Sequence, residues 1–502
     1  MKMPVPMSGE SVLREVSLAT PLPEQFVGRT VAGIAYDSRK VQRDFLFFAF
    51  AGANADGRQF AMEAMARGAC AVVSEQAAPD GFAGHWIQVA HARQALALAS
   101  RNFFGKPDEQ VQFTGITGTN GKTTTAYLLD AILRSAGKIT AIIGTIEYRI
   151  AGEVRNAVNT TPESLDVVQL AYELQQCGGT HLTMEVSSHA LALDRVYGLH
   201  FHTAVFTNLT QDHLDFHQTL ESYAAAKRLL FNPRGTRTPE WSVLNQDDPA
   251  SQSMTPSSDG QVVWYGMQSR AALYAENIQS GFYGLSFDLT WGGQRQPVRS
   301  ALAGRVNVWN VLAATGAALS YGLDLQTIAK GIESCKAVPG RFERIDCGQP
   351  FLVVVDFAHT EAALRNVIQL TREMVKAPGR VITLFGCGGD RDRTKRPLMG
   401  AVAAELSDYV VLTSDNPRSE DPLGIMNDVM VGLGRYDTPH ISEPNRAIAI
   451  GKALVMAQRG DAVLFAGKGH EAYQILKDRT LDFDDRAAAR AALQSMGYTK
   501  QS

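Results

Sequence analysis

Cysteine is scarce and scattered in this chain. Its 502 residues include five, Cys70, Cys177, Cys335, Cys347 and Cys387, an odd number with no Cys-x-x-Cys spacing. That speaks against a disulfide framework and against a structural zinc site. No apolar stretch reaches the roughly 20 residues of a membrane-spanning helix. The opening segment MKMPVPMSGESVLREVSL lacks the apolar core of a secretory signal. An excess of one charge is missing too: 48 Lys and Arg stand against 51 Asp and Glu, a net charge of −3. Such a balance implies no nucleic-acid partner. There is no low-complexity tract and no solenoid repeat. A soluble protein of a reducing, cytoplasmic compartment is expected, without a membrane span. Its length calls for two to four domains.

What is present is an alternation of strand and helix patterns in three blocks. Residues 1–108 hold strand-like VAGIAYDS, DFLFFAFAG and CAVVSE around a helical RQFAMEAMARG. The turn-rich NFFGKPDEQ reads as a linker. Residues 109–338 alternate strands (VQFTGIT, ITAIIGTIE, HLTMEVS, TAVFTNL) with helices, which predicts parallel βαβ units. Further strands and the helix VWNVLAATGAALSYGL follow. Residues 339–502 start at the Pro339-Gly340 turn and repeat the alternation with FLVVVDFAH, VITLFGC, YVVLTSD and AVLFAGK. The expected fold is α/β in three domains: a small α/β domain, a central P-loop ATPase-like parallel sheet and a Rossmann-like C-terminal domain.

The segment GITGTNGKTTTAYLLD carries the first chemistry. Gly121-Lys122-Thr123 looks like the end of a phosphate loop, yet Ile116 stands where the usual pattern has its first Gly. The context supports a phosphate site all the same. A strand leads in and a helix leads out, so Gly118, Thr119, Asn120, Gly121 and Thr124 sit where backbone N–H groups meet an anion. Lys122 adds a mobile positive charge, and the Thr123 hydroxyl can ligate Mg²⁺. Glu185 ends a parallel strand, where a carboxylate faces a nucleotide crevice. TNLTQDHLDFH, with Asp212, His213 and Asp215, has no third ligand at zinc spacing and reads as a polar loop beside the nucleotide. FGCGGD does not complete a dinucleotide fingerprint, because Arg391 takes its last place.

TGTNGKTTT, EVSSHAL, TNLTQDHLDFH and YAAAK, in this order, resemble the Mur ligase family, ATP-dependent amide ligases of peptidoglycan precursor synthesis. The similarity continues through LAGRVNVWNVLAA, PGRFERI, VVDFAHTEAAL, FGCGGDRDRTKRPLM, SDNPRSEDP and GKGHE, and so spans nearly the whole chain. The compressed loop is that family's variant. The resemblance implies ATP and Mg²⁺, with Thr123, Glu185, His213 and Lys227 about the metal, and Asn310, Arg341 and Asp356 at the nucleotide. His359 stands near that group in motif order. Lys227, in YAAAKRLLF, reads from the residues as an exposed helix lysine; the resemblance implies a carbamylated one (N6-carboxylysine), an anionic metal ligand.

The first block is similar to the UDP-binding domain of the members that add the third peptide residue. Ser38 and the turn Ala53, Asn54 and Ala55 would then meet uridine diphosphate. Asn159, Thr160 and Thr161, with Ser187 and Arg195, would hold the muramyl-peptide; Leu193 departs from the amide side chain often found at its place. Asp415, Asn416, Pro417 and Arg418 form DNPR, which the resemblance ties to meso-diaminopimelate, with Arg391, Gly467 and Glu471 completing that pocket. The chemistry agrees, since a guanidinium can grip a second carboxylate bidentately. The residues alone leave open a strand-exit turn with Arg418 solvated. The implied partners are UDP-MurNAc-L-Ala-D-Glu and meso-diaminopimelate, taken by a monomer. A folylpolyglutamate synthetase-like ligase and a P-loop motor or transport ATPase are the alternatives.

Overall fold

The structure, a computed structural model, describes residues 3–52, 56–258, 260–268, 270–281 and 284–499. The chain divides into two compact units. One comprises Met1–Ile278, Ser286–Arg299 and Val306–Ser334, the other Gln279–Leu285, Ser300–Arg305 and Cys335–Ser502.

The first unit begins with a four-stranded parallel sheet, Gly33–Ala35, Phe45–Phe48, Ala71–Ser74 and Trp86–Gln88. Leu46, Phe47 and Phe48 are buried in succession, as strands covered on both faces require. The segment expected as a linker is packed instead. Phe103, Phe104, Pro107 and Asp108 are buried. Arg101 Nε donates to both Asp108 oxygens at 3.0 and 2.9 Å, and Asp108 Oδ2 also accepts from the His200 N–H at 2.9 Å. Turn residues mark a change of direction, not exposure; here a buried ion pair and two aromatic rings tie the turn down.

The main sheet of this unit carries adjacent parallel strands in the order Thr140–Ile143, His181–Glu185, Gln112–Thr117, Thr203–Phe206, Trp241–Asn245, Gln261–Gly266 and Leu273–Gly281. Chain order reverses around Gln112–Thr117, so the crevice of the sheet opens at its carboxyl end. ITAIIGTIE, expected as one strand, is two. Thr140–Ile143 turns at Gly144 into Glu147–Ile150, which returns antiparallel. A Cβ at Gly144 would lie 2.5 Å from Glu185 Oε1, so the chain turns where that carboxylate needs room. Helix Lys122–Ser135 is buried over most of its surface, because helices Val306–Ser320 and Leu325–Ser334 cover the face turned away from the sheet. Each leucine or isoleucine so buried contributes about 1.5–3 kcal/mol.

The second unit has a six-stranded sheet in the order Glu343–Arg344, Leu352–Asp356, Ala462–Ala466, Val381–Phe385, Tyr409–Thr413 and His440–Glu443. All but the first pairing are parallel. The loops after Asp356, Phe385, Thr413 and Ala466 therefore leave the same carboxyl edge. Cys70, Cys177, Cys347 and Cys387 are free thiols. Among the described residues no helix is long and apolar enough to cross a membrane.

Candidate active site

The phosphate loop forms as its glycines require. Gly118 and Gly121 hold φ of 145° and 86°, where a side chain is strained. They also lack room, since a Cβ at Gly118 would run into Thr207 and one at Gly121 into Asn310 Oδ1. The Thr119 N–H donates to Asn208 O at 2.8 Å and the Asn120 N–H to Asn208 Oδ1 at 2.9 Å. The loop is thus shaped from the neighbouring strand exit. Lys122 Nζ donates to the carbonyls of Gly118 and Thr119, both at 2.9 Å. Thr124, next along the helix, is buried.

Glu185 lies buried at this loop, not at a solvated strand end. Its Oε2 accepts from the Thr123 hydroxyl at 2.9 Å and the Thr145 hydroxyl at 3.1 Å, and Oε1 accepts from the Thr145 N–H at 2.8 Å. Hydroxyl and carboxylate oxygens meeting at a helix N-terminus are the hard donors Mg²⁺ takes. Lys227 is buried as well, against the expectation that its residues alone raised. Its Nζ donates to Gly118 O at 2.9 Å and lies 4.2 Å over the Tyr223 ring. Burial, and after it the nearby Lys122 charge, holds its pKa well below that of an ordinary lysine. A plain amine there is no Mg²⁺ ligand, but a neutral one can take up CO₂. His213, in a left-handed turn (φ 53°) before the short helix Leu214–His217, is also depressed, by burial first and then by Lys122 and Lys227 against the opposing Asp212. Among the described residues no three His, Cys, Asp or Glu side chains gather as a metal cluster.

The muramyl-peptide candidates converge on the other side of Glu185. Thr161 Oγ1 donates to Glu185 O at 2.8 Å and accepts from the Ser187 N–H at 3.0 Å. Thr160 shares a 3.1 Å hydroxyl contact with Thr145, and Asn159 O accepts from Tyr148 at 2.6 Å. Arg195 donates to Thr161 O and to Glu163 Oε1, both at 3.1 Å. Leu193 only ends the helix Ser188–Ala192. Ser38 is buried and donates to Glu63 at 3.1 Å; Ala53, Asn54 and Ala55 lie outside the described residues.

In the second unit the DNPR and GKGHE segments leave strands Tyr409–Thr413 and Ala462–Ala466, which lie on either side of Val381–Phe385. Asn416 Nδ2 donates to Glu471 Oε2 at 2.9 Å. Arg418 is not simply solvated: at φ 52° it folds back, and its Nη1 donates to Gly389 O at 2.9 Å. Gly388 separates it from Arg391, whose Nη1 donates to Asp390 O. The Pro417 carbonyl packs on Gly389, and Gly467 (φ 113°) admits no Cβ because Asp415 Oδ2 would be 2.7 Å away. Asp356 accepts backbone N–H groups from Phe342 and Ala358 at 2.7 and 2.8 Å; burial raises its pKa and the Arg341 charge opposes that. Arg341 stacks 4.9 Å over the Phe357 ring, and His359 bonds Phe357 O through Nδ1.

Residues 30–104 match the Mur ligase family catalytic domain, 116–318 the Mur ligase middle domain and 340–469 the Mur ligase glutamate ligase domain. The chain belongs to the Mur ligase family. A UDP-N-acetylmuramoyl-L-alanyl-D-glutamate--2,6-diaminopimelate ligase of Solibacter usitatus (strain Ellin6076) is 60% identical over 97% of this chain and 98% of its own. The enzyme of that name from Geobacillus kaustophilus (strain HTA426) is 43% identical over 93% and 96%. A solved structure of an enzyme of that name superposes with a TM-score of 0.70 at 31% identity, covering 99% of this chain and 100% of that one.

Three residues of this Mur ligase escaped the sequence reading. Thr145 holds Glu185, Glu163 holds Arg195, and Lys468 is wholly buried beside Asn416 and Glu471. Glu163 and Lys468 stand inside NTTPES and GKGHE, so position in a motif was their signal. Thr145 had none.

Proposed function

We propose that this Mur ligase joins an amine of meso-diaminopimelate to the γ-carboxylate of D-Glu in UDP-MurNAc-L-Ala-D-Glu, with ATP converted to ADP and phosphate. The observation that carries the reading is near-full-length identity to enzymes named for that substrate pair. The DNPR pocket supports it, because a guanidinium, an amide N–H₂ and a carboxylate together suit a far end bearing both carboxylate and ammonium. A motor ATPase suits the phosphate loop alone, and neither it nor a folylpolyglutamate synthetase-like ligase suits a first block that matches the Mur ligases.

In this reading an oxygen of the γ-carboxylate attacks the terminal phosphorus of ATP and the bond to ADP breaks. The acyl phosphate is attacked at carbon by the amine, the C–O bond breaks, and phosphate and a proton leave. Loop N–H groups from Gly118 to Thr124 cradle the phosphates, and Lys122 leaves Gly118 and Thr119 to neutralise charge on the transferred group. Mg²⁺, when bound, would screen phosphate oxygens; Thr123 and Glu185 would hold it, with His213 and carbamylated Lys227 (N6-carboxylysine) nearby. Asn310, Arg341 and Asp356 are assigned to the nucleotide. Ser38 with Ala53, Asn54 and Ala55 is assigned to UDP, and Asn159, Thr160, Thr161, Ser187 and Arg195 to the muramyl-peptide. Asp415 to Arg418, Arg391, Gly467 and Glu471 receive the amino acid. The proposed domains are 1–108, 109–338 and 339–502, in keeping with the three family matches. A monomer is proposed.

The test is phosphate release from ATP with UDP-MurNAc-L-Ala-D-Glu and a panel of amino acids. Release should require both acceptors and be fastest with meso-diaminopimelate. Release without either acceptor, or equal rates with L-lysine, would overturn the reading.

A further inference from the structure

Lys468 has no solvent exposure and sits between two glycines of positive φ, Gly467 and Gly469. Its three protons have three takers: the Tyr473 carbonyl at 2.6 Å, Asn416 Oδ1 at 3.1 Å and Glu471 Oε2 at 3.5 Å. Asn416 Oδ1 also accepts from the Ile475 N–H at 3.0 Å. Two donors converging on one atom determine which end of the amide it is, because the reversed amide would turn N–H₂ against an ammonium and an N–H. Asn416 must therefore present Nδ2. One of its protons goes to Glu471 Oε2, and the other remains for a ligand.

The same ammonium faces Glu471. Burial pushes that carboxyl up, Lys468 opposes the rise and Asp415 adds to it. Tyr473 and Arg446 are the other titratable groups that feel it. Without Lys468, Glu471 would keep a half-buried carboxyl next to Asp415 with no cation in contact, and would hold its proton more tightly.

Resting on the substrate reading above, we infer that Lys468 is the positioning residue that makes the pocket select a far end bearing both charges. Together with the Ile475 N–H it holds Asn416 as a donor for a carboxylate, and it keeps Glu471 an acceptor for an ammonium. Lys468 need not touch the substrate.

The experiment compares Lys468→Met with wild type on meso-diaminopimelate and on 2-aminopimelate, which keeps the far carboxylate and lacks the far amine. For the variant kcat/KM with meso-diaminopimelate should fall about a hundredfold, mostly through KM, as for loss of one partner of a buried charged set. With 2-aminopimelate the fall should be about tenfold less, and KM for ATP should stay within about twofold. Raising pH from 6 to 8.5 should restore meso-diaminopimelate binding in the variant alone, by ionising Glu471. Lys468→Gln, which can still bond the Tyr473 carbonyl, serves if the Met variant does not fold. Retained preference for meso-diaminopimelate over 2-aminopimelate in a folded variant, or a KM with no new pH dependence, would overturn the inference. A wild type that does not use meso-diaminopimelate would instead overturn the substrate reading.

Discussion

Arg446 and Asp485 form an ion pair with neither side chain exposed, joined by two bonds of 2.7 Å. The same guanidinium donates to Ser414 O at 3.4 Å and to Ala466 O at 3.1 Å. Those carbonyls immediately precede Asp415 and Gly467, so one buried cation ties together the strand ends that carry DNPR and GKGHE. Removing one partner of such a pair costs roughly 3–5 kcal/mol. Asp485→Asn should lower stability to urea by about that much and raise KM for the amino acid. A loss below about 1 kcal/mol would mean that the pair does not hold the pocket.

Lys122→Ala should abolish nearly all ligation while the protein stays folded. Contacts of this kind to a transferred phosphate are worth about 3–4 kcal/mol, or a hundred- to thousandfold in rate. Single-turnover acyl-phosphate formation is the measurement, and a rate near wild type would remove the loop from the chemistry.

Lys227 should carry a carbamate in CO₂-equilibrated enzyme. Burial, and after it the nearby Lys122 charge, lowers its pKa well below that of an ordinary lysine, which favours the neutral amine that reacts with CO₂. A ¹³C resonance from ¹³CO₂ should appear in wild type and vanish in Lys227→Ala. Short carboxylic acids should restore part of that variant's activity by supplying the missing anion. An active enzyme with an unmodified amine would contradict this.

Arg418→Ala should lose about a hundredfold in kcat/KM for meso-diaminopimelate, with little change for L-lysine, because only the former brings a carboxylate to the guanidinium. Rates for both substrates on both proteins decide it. An unchanged ratio would place the selection elsewhere.

Acid should weaken the fold through His181. Its ring is buried edge-on to Tyr321 at 4.7 Å, and burial, then Lys138 and His202, lower its pKa to about 4 from the usual 6.5. The unfolded chain takes up a proton below about pH 6.5, and the folded chain only below about 4, so stability is complete above that window and falls as pH drops through it. His181→Asn should flatten the dependence of the unfolding midpoint between pH 6.5 and 4.5. Equal slopes for the two proteins would show that His181 contributes nothing to it.

The alternation of apolar strands with helices, the glycines of the phosphate loop and the Pro339-Gly340 turn were legible along the chain because each is a local preference. So was the placing of Glu185, Asp356, Asn416 and Gly467 at strand exits, since a parallel sheet gathers its carboxyl ends on one edge. Burial was not legible. Lys227 has the spacing of a surface helix lysine and Lys468 that of a glycine-loop lysine, yet both are enclosed by residues distant in sequence. The expected linker failed for the same reason, because its anchor, Asp108, is completed by His200 from the turn before strand Thr203–Phe206. Local pattern decides backbone conformation over a few residues. Which charges lose their water is decided only when separate segments close over them, and that enclosure lowers the pKa of Lys227, directs the Asn416 amide and raises the pKa of Glu471.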